Sequence, residues 1–352
     1  MSKYPDRFAI DMITGRCNNH CQHCYSDIPF AYETLSYEAI VRLIDELNKS
    51  TLSEFVMAPW MLMHDPLLVN GLTKLLTFIN NRFPKNSSKT LVSNLSVFSR
   101  KPDLMKVLKD MGINNYQFSF YGIGKTHDDF AGRKGAFNDI MKVLPLMKSL
   151  NIGFIPMIWL HSKIGPDLKD ISKILIEYNM VPKGNPIPVN IPDPVGRQLI
   201  NEENRPTYDC MIEYRGLVPD SVFNTIEGDI CKNYIDGDTH VTSPETENTS
   251  SKEQQLVELM SYTVLPSGDV YPFWKPVHPL FKLGNLFTDG IDHIHEIYFG
   301  QQYTGVNMFE SYDAKELVEK WGNRESRKLF QYAECVIEKY RRLEFFEQNP
   351  LK

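Results

Sequence analysis

No run of about 18 consecutive apolar residues occurs in the chain, so no membrane-spanning helix is expected. The N-terminal Met1-Ser-Lys-Tyr-Pro is polar and lacks an apolar signal core, which excludes a secretory reading; the protein is read as cytosolic. No basic stripe or arginine-rich segment appears. With 38 Lys+Arg against 44 Asp+Glu, the formal charge is -6, and no nucleic-acid partner is expected. No internal repeat is present. Hydrophobic residues nevertheless make up 42% and aromatics 12%, which excludes a largely disordered chain. A length of 352 residues allows one large domain or two ordinary ones. Six cysteines are an ordinary number, but Cys17, Cys21 and Cys24 fall within eight residues, apart from Cys210, Cys231 and Cys335. In a cytosolic chain such a cluster points to metal binding or redox chemistry rather than to disulfides.

The first two hundred residues alternate strand-like and helix-like runs. Strands are expected at Arg7–Thr14, Glu54–Ala58, Thr90–Ser93, Asn115–Tyr121, Ile152–Leu160 and Pro186–Pro192. Helices are expected from Ser36 to about Lys49, then at Leu67–Phe83, Lys101–Met111, Ala136–Leu150 and Asp167–Asn179. About six strand–helix units imply a parallel sheet with right-handed crossovers. They suit a curved, partly closed barrel with its chemistry at the C-terminal strand ends, where the cysteine run follows the first strand. A doubly wound open sheet competes on periodicity alone. Past residue 200 the pattern changes, so residues 1–200 and 201–352 are read as two domains. Asn201–Arg215 looks helical, Asp236–Gln255 reads as a solvated loop, Ser261–Phe273 as a hairpin and Ser326–Glu347 as a charged helix. His293 and His295 are read as surface residues, and Tyr271-Pro-Phe-Trp274 as core.

The segment Cys17-Asn-Asn-His-Cys21-Gln-His-Cys24-Tyr25 carries the chemistry. Thiolates hold iron–sulfur clusters, and a four-iron cluster normally takes four. Three cysteines on one loop fix three corners and leave one iron open to a reactant, by the logic of a catalytic zinc site. A zinc site using three cysteines with His20 or His23 is the competing reading.

The cysteine spacing, with His23 before and Tyr25 after the last cysteine, resembles the radical S-adenosylmethionine (radical SAM) superfamily. The resemblance implies a partial (β/α)6 TIM-like barrel of the radical SAM type, with a small α+β C-terminal extension. It also implies a [4Fe-4S] cluster on Cys17, Cys21 and Cys24, and S-adenosyl-L-methionine on its open iron. Cleavage of that cofactor would give a 5'-deoxyadenosyl radical that abstracts hydrogen from substrate, with the protein supplying position and dryness. Met63-His64-Asp65-Pro66 stands where the family usually has Gly-Gly-Glu-Pro, so His64 and Asp65 are expected at the methionine ammonium, with Asp65 supplying the carboxylate. Ser93-Asn94 is similar to the family's Ser-Asn or Thr-Asn pair at the ribose or carboxylate. Ser119-Phe-Tyr-Gly122, Thr126-His-Asp128 and Gly132-Arg-Lys-Gly135 are similar to its next block, with Arg133 forking onto the cofactor carboxylate. Val195-Gly-Arg197 resembles the turn that meets adenine.

The C-terminal part resembles a degenerate SPASM or twitch domain through Leu265–Phe273, Gly284-Asn-Leu286 and Ile294-His-Glu-Ile297. Phe273 stands where the family has a cysteine, and Cys335 pairs with Glu338 rather than with a second cysteine. A complete auxiliary cluster on Cys210, Cys231 and Cys335 is not expected. Without that electron acceptor a redox-neutral outcome is favoured: epimerisation, with Cys210 returning hydrogen from its weak S–H bond. A buried apolar cysteine is the plainer reading of Cys210. Dehydrogenation, dehydration or C–C and C–X crosslinking form the first alternative, and a non-catalytic iron–sulfur or zinc protein the second. The expected substrate is a peptide (RiPP) or small natural product, and a reductant such as flavodoxin or ferredoxin is implied. Sixteen residues precede Cys17, so no fused peptide-recognition domain is expected there.

Overall fold

The structure, a computed structural model, describes residues 7–13, 17–24, 35–51, 54–56, 62–83, 89–237, 260–273, 275–300 and 303–350. Among them no helix is long and apolar enough to cross a membrane. Strand β1 (Arg7–Ile13) buries Phe8, Ile10 and Met12, the period of two that a pleated strand imposes. Ser36 accepts a hydrogen bond from the Ala39 N–H and caps α1 (Tyr37–Leu47). The expected stripe of Ile40, Leu43, Ile44 and Leu47 is the buried face of that helix.

The expected second strand is two pieces, β2 (Glu54–Val56) and β3 (Leu62–Met63), both parallel to β1. Val56 pairs with Ala9 and Leu62 with Met12, and residues 57–61 between the two pieces lie outside the described residues. A short 3-10 turn at Pro66–Leu68 then precedes α2 (Leu72–Arg82). Next come β4 (Thr90–Val92), α3 (Pro102–Asp110), β5 (Asn115–Phe120), α4 (Lys125–Ala131), α5 (Ala136–Ser149), β6 (Gly153–Trp159), α6 (Leu168–Glu177) and β7 (Val189–Asn190). Strands β4-β5-β6-β7 form a parallel sheet in that order, and β3 lies beside β4. The result is a partial barrel of six parallel positions, not a doubly wound sheet.

Three expectations need correction. The helix expected over Asn201–Arg215 is broken: after α7 (Arg197–Ile200), which precedes it, the segment holds α8 (Tyr208–Met211) with 3-10 turns on either side, because Pro206 lacks an N–H and disfavours helical backbone before it. Helix α4 was not foreseen; it is short and flanked by Gly124 and Gly132. The final helix begins at Ala333 rather than Ser326. Of the expected solvated stretch, Asp236 ends α9 (Glu227–Asp236), and the part beyond Gly237 lies outside the described residues.

The expected hairpin is β8 (Met260–Val264) and β9 (Asp269–Pro272), closed by Gly268 at φ +86°, where a Cβ would meet the Phe287 ring at 2.6 Å. It stays within the first sheet: β8 runs parallel to β1, giving the order β10-β9-β8-β1-β2 with β10 (Gly284–Asn285) at the edge. Helices α10 (Ile291–Phe299), α11 (Thr304–Ser311), α12 (Ala314–Trp321) and α13 (Ala333–Gln348) complete the chain. His295 on α10 is buried, not at the surface, with its ring edge-on to Phe8 at 4.9 Å and to Tyr262 at 5.7 Å. Of the aromatic patch, Tyr271 is core and Trp274 lies outside the described residues.

Candidate active site

Strands β4 and β5 bury alternate residues against the outer helices. On β5, Tyr116, Phe118 and Phe120 are buried among Met105 and Leu108 of α3 and Ile140, Val143 and Met147 of α5. Gln117 and Ser119 therefore face the lumen, and they are only half-buried. On β6, Ile158 is buried while Met157 and Trp159 on the opposite face are half-buried and Ile155 is 37% exposed. A closed TIM barrel fills this space with side chains. Here the lumen is open.

The cysteine loop covers one end of that lumen. Tyr25, part of the expected motif, lies outside the described residues. Two neighbours hold the loop's backbone. On one side, the His20 N–H donates to the Ala131 carbonyl (2.8 Å) and the Gln22 N–H to the Phe130 carbonyl (3.0 Å). Gly132 lets α4 come this close: at φ +65° it is left-handed, and a Cβ there would sit 2.7 Å from the His20 carbonyl oxygen. On the other side, the Arg197 N–H donates to the Cys24 carbonyl (2.8 Å) and Asn201 Nδ2 to the Gln22 carbonyl (3.0 Å).

The three thiols are half-buried on one face of this loop. Asn94 Nδ2 lies 3.7 Å from Cys17 Sγ and donates to Asn18 Oδ1 at 2.5 Å, and Tyr121 OH lies 3.4 Å from Cys21 Sγ. Burial pushes the Cys17 thiol well above its ordinary range, and the charges of Asp65, Cys21 and Cys24 add to that. Such a trio becomes thiolate only when a cation offsets the charge, as bound metal does. Among the described residues no three His, Cys, Asp or Glu side chains converge on a single ion. In an iron–sulfur cluster each thiolate binds a different iron, so the three need not converge on one ion. His23, the other candidate zinc ligand, is enclosed by Trp159 (4.6 Å between centroids), Tyr121 (5.0 Å) and Phe130 (5.5 Å). Burial, and next the charge of His161, lower its pKa to about 3, so the ring is neutral.

Beside the thiols lie a buried carboxylate and a half-buried guanidinium. Asp65 is 1% exposed and follows β3. Its Oδ1 accepts from the Leu67 N–H at 3.2 Å, while Oδ2 has no completed hydrogen bond, although the Ser93 hydroxyl and the Asn94 N–H approach the carboxyl group. Burial pushes this carboxyl up to about 6, against those hydrogen bonds and the nearby Arg133 charge. Arg133 spends Nε on Asn19 Oδ1 (2.7 Å) and Nη1 on Asp139 Oδ2 (2.6 Å), leaving Nη2 buried without a partner. A buried charged group left partly unsatisfied is costly, and it marks a place for a ligand. One orphaned carboxylate oxygen and one orphaned guanidinium nitrogen suit the ammonium and carboxylate of an amino-acid zwitterion. The residues present therefore fit the methionine moiety that the resemblance implies.

His64 adopts φ 68°, a left-handed conformation in which the family's glycine is unstrained. Ser119 Oγ accepts from Trp159 Nε1 at 3.1 Å, which fixes the indole beside His23. Val195 is buried in the turn whose Arg197 N–H binds the Cys24 carbonyl. His127 and Asp128 serve the scaffold: the Tyr121 N–H donates to His127 Nδ1, and Asp128 accepts from the Gly135 and Phe137 N–H groups. The sequence reading missed His161, whose Nε2 lies 2.6 Å from the Tyr121 carbonyl, and Gln198, buried next to Val195 with Oε1 unpartnered. Neither stands in a motif, so spacing offers no signal for them.

The remaining cysteines are in three different surroundings. Cys210 exchanges hydrogen bonds with Thr207 as part of a helix cap, and no described contact ties its sulfur to the cysteine loop. Cys231 is buried against Tyr340 OH (3.2 Å). Cys335 Sγ lies 3.5 Å from Asp193 Oδ1, and the Asp193 carbonyl accepts from the Val195 N–H.

Comparison with known proteins agrees with this geometry. Residues 12–171 match the family model of the Radical SAM superfamily. A 164-residue stretch is 23% identical to the sporulation killing factor maturation protein SkfB of Bacillus subtilis (strain 168), covering 45% of this chain and 37% of SkfB. A 137-residue stretch is 31% identical to Fe-coproporphyrin III synthase of Methanosarcina barkeri (strain Fusaro), covering 38% of this chain and 31% of the synthase. The matched segment is thus about a third of the length of these curated relatives. Among solved structures, Streptococcus suis SuiB bound to S-adenosylmethionine aligns over 92% of this chain and 76% of SuiB, with a TM-score of 0.55 and 14% identity. Native anSMEcpe with bound AdoMet and Cp18Cys peptide aligns over 97% and 96%, with a TM-score of 0.52 and 15% identity. Those two likenesses are of fold. Residues 12–171, from Met12 on β1 to Ile171 in α6, thus match the Radical SAM superfamily model, which spans the first part of this chain.

Proposed function

We propose that this chain is a radical SAM enzyme acting on a C–H bond of a peptide during natural-product maturation. The observation that carries the reading is the pair of orphaned charges, Asp65 Oδ2 and Arg133 Nη2, set beside three thiols at the mouth of an open lumen. When bound, the [4Fe-4S] cluster and S-adenosylmethionine of this superfamily supply a 5'-deoxyadenosyl radical able to take a hydrogen atom from a C–H bond. Cys17, Cys21 and Cys24 would hold the cluster. Asn94 and Tyr121 would donate toward the Cys17 and Cys21 sulfurs and tune their electron density. Asp65, with Ser93 beside it and His64 shaping its turn, would receive the methionine ammonium, and Arg133 the carboxylate. His23, Ser119 and Val195 would line the adenosine side.

The peptide class rests on the relatives. SkfB is a maturation protein, one SuiB structure holds the precursor peptide SuiA, and anSMEcpe binds a peptide. Epimerisation remains the preferred outcome, because Cys210, Cys231 and Cys335 occupy separate surroundings that suit no shared cluster. Cys210 stays the preferred donor of the returning hydrogen, with Cys335 the second candidate. Dehydrogenation, dehydration or crosslinking becomes the better reading if neither thiol matters. Residues 201–352 are read as the degenerate SPASM-like extension.

The test is anaerobic reconstitution, reduction with dithionite and assay of 5'-deoxyadenosine from S-adenosylmethionine. Wild type should form it, and the Cys17/Cys21/Cys24→Ala variant should not. A reconstituted wild type that cleaves no cofactor would support the non-catalytic alternative instead.

A further inference from the structure

An open groove of about 560 Å³ lies on the barrel rim, within the size range of ligand sites. Its walls come from the chain that follows two cofactor-facing turns. Leu67 and Leu68 stand two and three residues after Asp65, about 11 Å of chain at most. Val97, Arg100, Lys101 and Leu104 follow Asn94 and enter α3. The groove therefore begins where the methionine-facing residues end.

Its chemistry is one-sided. Leu68 and Leu104 are half-buried in its wall, over Leu67, Val69, Leu72 and Val97, which are buried. Among the described lining residues the charged ones are Arg100 and Lys101, although the whole chain carries a formal charge of -6. Both side chains are exposed, and neither has an ion-pair partner among the described residues. The N-terminus of α2 also forms part of the lining: Gly71 at its N-cap offers no side-chain cap, which leaves first-turn N–H groups and the positive end of the helix dipole facing the same space.

We propose that this groove docks an acidic, apolar segment of the peptide substrate, with side chains such as Leu against the walls and a Glu or Asp carboxylate against Arg100, Lys101 and the α2 terminus. The idea rests on the peptide reading above. A wholly apolar segment would leave both cations without a partner. A small inorganic anion would leave Leu68 and Leu104 in water. A segment with both characters satisfies each part. Docking here would hold the substrate beside the lumen, giving the reacting residue a high effective concentration at the site.

The experiment uses the reconstituted full chain and three fluorescein-labelled hexapeptides, in which Leu alternates with Glu, Gln or Lys. Fluorescence anisotropy should show the Leu/Glu peptide binding at least about ten-fold more tightly than the Leu/Gln peptide, and the Leu/Lys peptide more weakly still. The Arg100→Glu/Lys101→Glu variant should invert that order, and Leu104→Ala should weaken the Leu/Glu and Leu/Gln peptides alike. Both variants should still form 5'-deoxyadenosine from S-adenosylmethionine without peptide. Equal binding of Leu/Glu and Leu/Gln peptides to wild type, or an unchanged order in the charge-reversed variant, would overturn the proposal while leaving the radical SAM reading intact. Loss of cofactor cleavage in wild type would instead remove the reading beneath it.

Discussion

Asp65 and Arg133 are the residues on which cofactor affinity should turn. Each has one buried polar atom unsatisfied, so each gains a charge-assisted hydrogen bond when its partner arrives. Removing the Asp65 charge as Asp65→Asn should weaken S-adenosylmethionine binding by about ten- to a hundred-fold, measured by calorimetry on reconstituted protein with its iron content unchanged. Equal affinity in that variant would remove Asp65 from the site. His64 shows the opposite economy. It holds a left-handed φ of 68° beside that carboxylate, where glycine is relaxed. His64→Gly should raise the unfolding free energy by about 1 kcal/mol, read from denaturant midpoints. A fall in stability would mean that the imidazole's own contacts outweigh the strain.

At the scale of elements, the cysteine loop has little regular structure of its own and takes its shape from α4 on one side and α7 on the other. The tightest point is Gly132 against the His20 carbonyl. Gly132→Ala places a methyl 2.7 Å from that oxygen and forces a residue other than glycine into φ +65°. The variant should fold but retain less than about half the iron of wild type after reconstitution, since loop backbone and thiols must shift together. Wild-type iron content would show that the loop is held by the 196–204 segment alone. The same reasoning explains why two helical expectations failed locally. Helix α4 is flanked by glycines that periodicity reads as loop, and Pro206 divides an otherwise helical stretch.

For the whole molecule, buried histidines set the acid limit of stability. Burial, as the largest cause, lowers His127 to about 3 and His161 and His295 to about 4, against 6.5 for the unfolded residue. Between pH 6.5 and 4 the unfolded chain binds protons that the folded chain refuses, so stability should fall as pH drops through that window. His295 lies far in sequence from the cysteine loop, packed between Phe8, Tyr262 and Phe299, and both its ring nitrogens are unpartnered. His295→Phe should therefore flatten the melting temperature against pH between 6.5 and 4. Parallel curves for wild type and variant would show that this ring is protonated in the folded state.

The sequence by itself determined the barrel alternation, because strand and helix periodicities are local and each element repeats its own pattern. It also determined the thiol loop, since Cys17, Cys21 and Cys24 are spaced within one turn of chain, and it pointed to Asp65, Ser93, Asn94 and Arg133 through motifs that follow strand ends. Only the tertiary structure decided what those residues do to one another. The orphaned Nη2 of Arg133 exists because Asn19 and Asp139, from different segments, occupy its other nitrogens. His295 is buried, not exposed, because β8 returns to pair with β1 across some 250 residues of chain and brings Tyr262 beside Phe8. Likewise Cys335 meets Asp193, because the end of the chain folds back onto the segment that follows β7. Such pairings depend on chain closure over long separations, and no local pattern in the sequence records them.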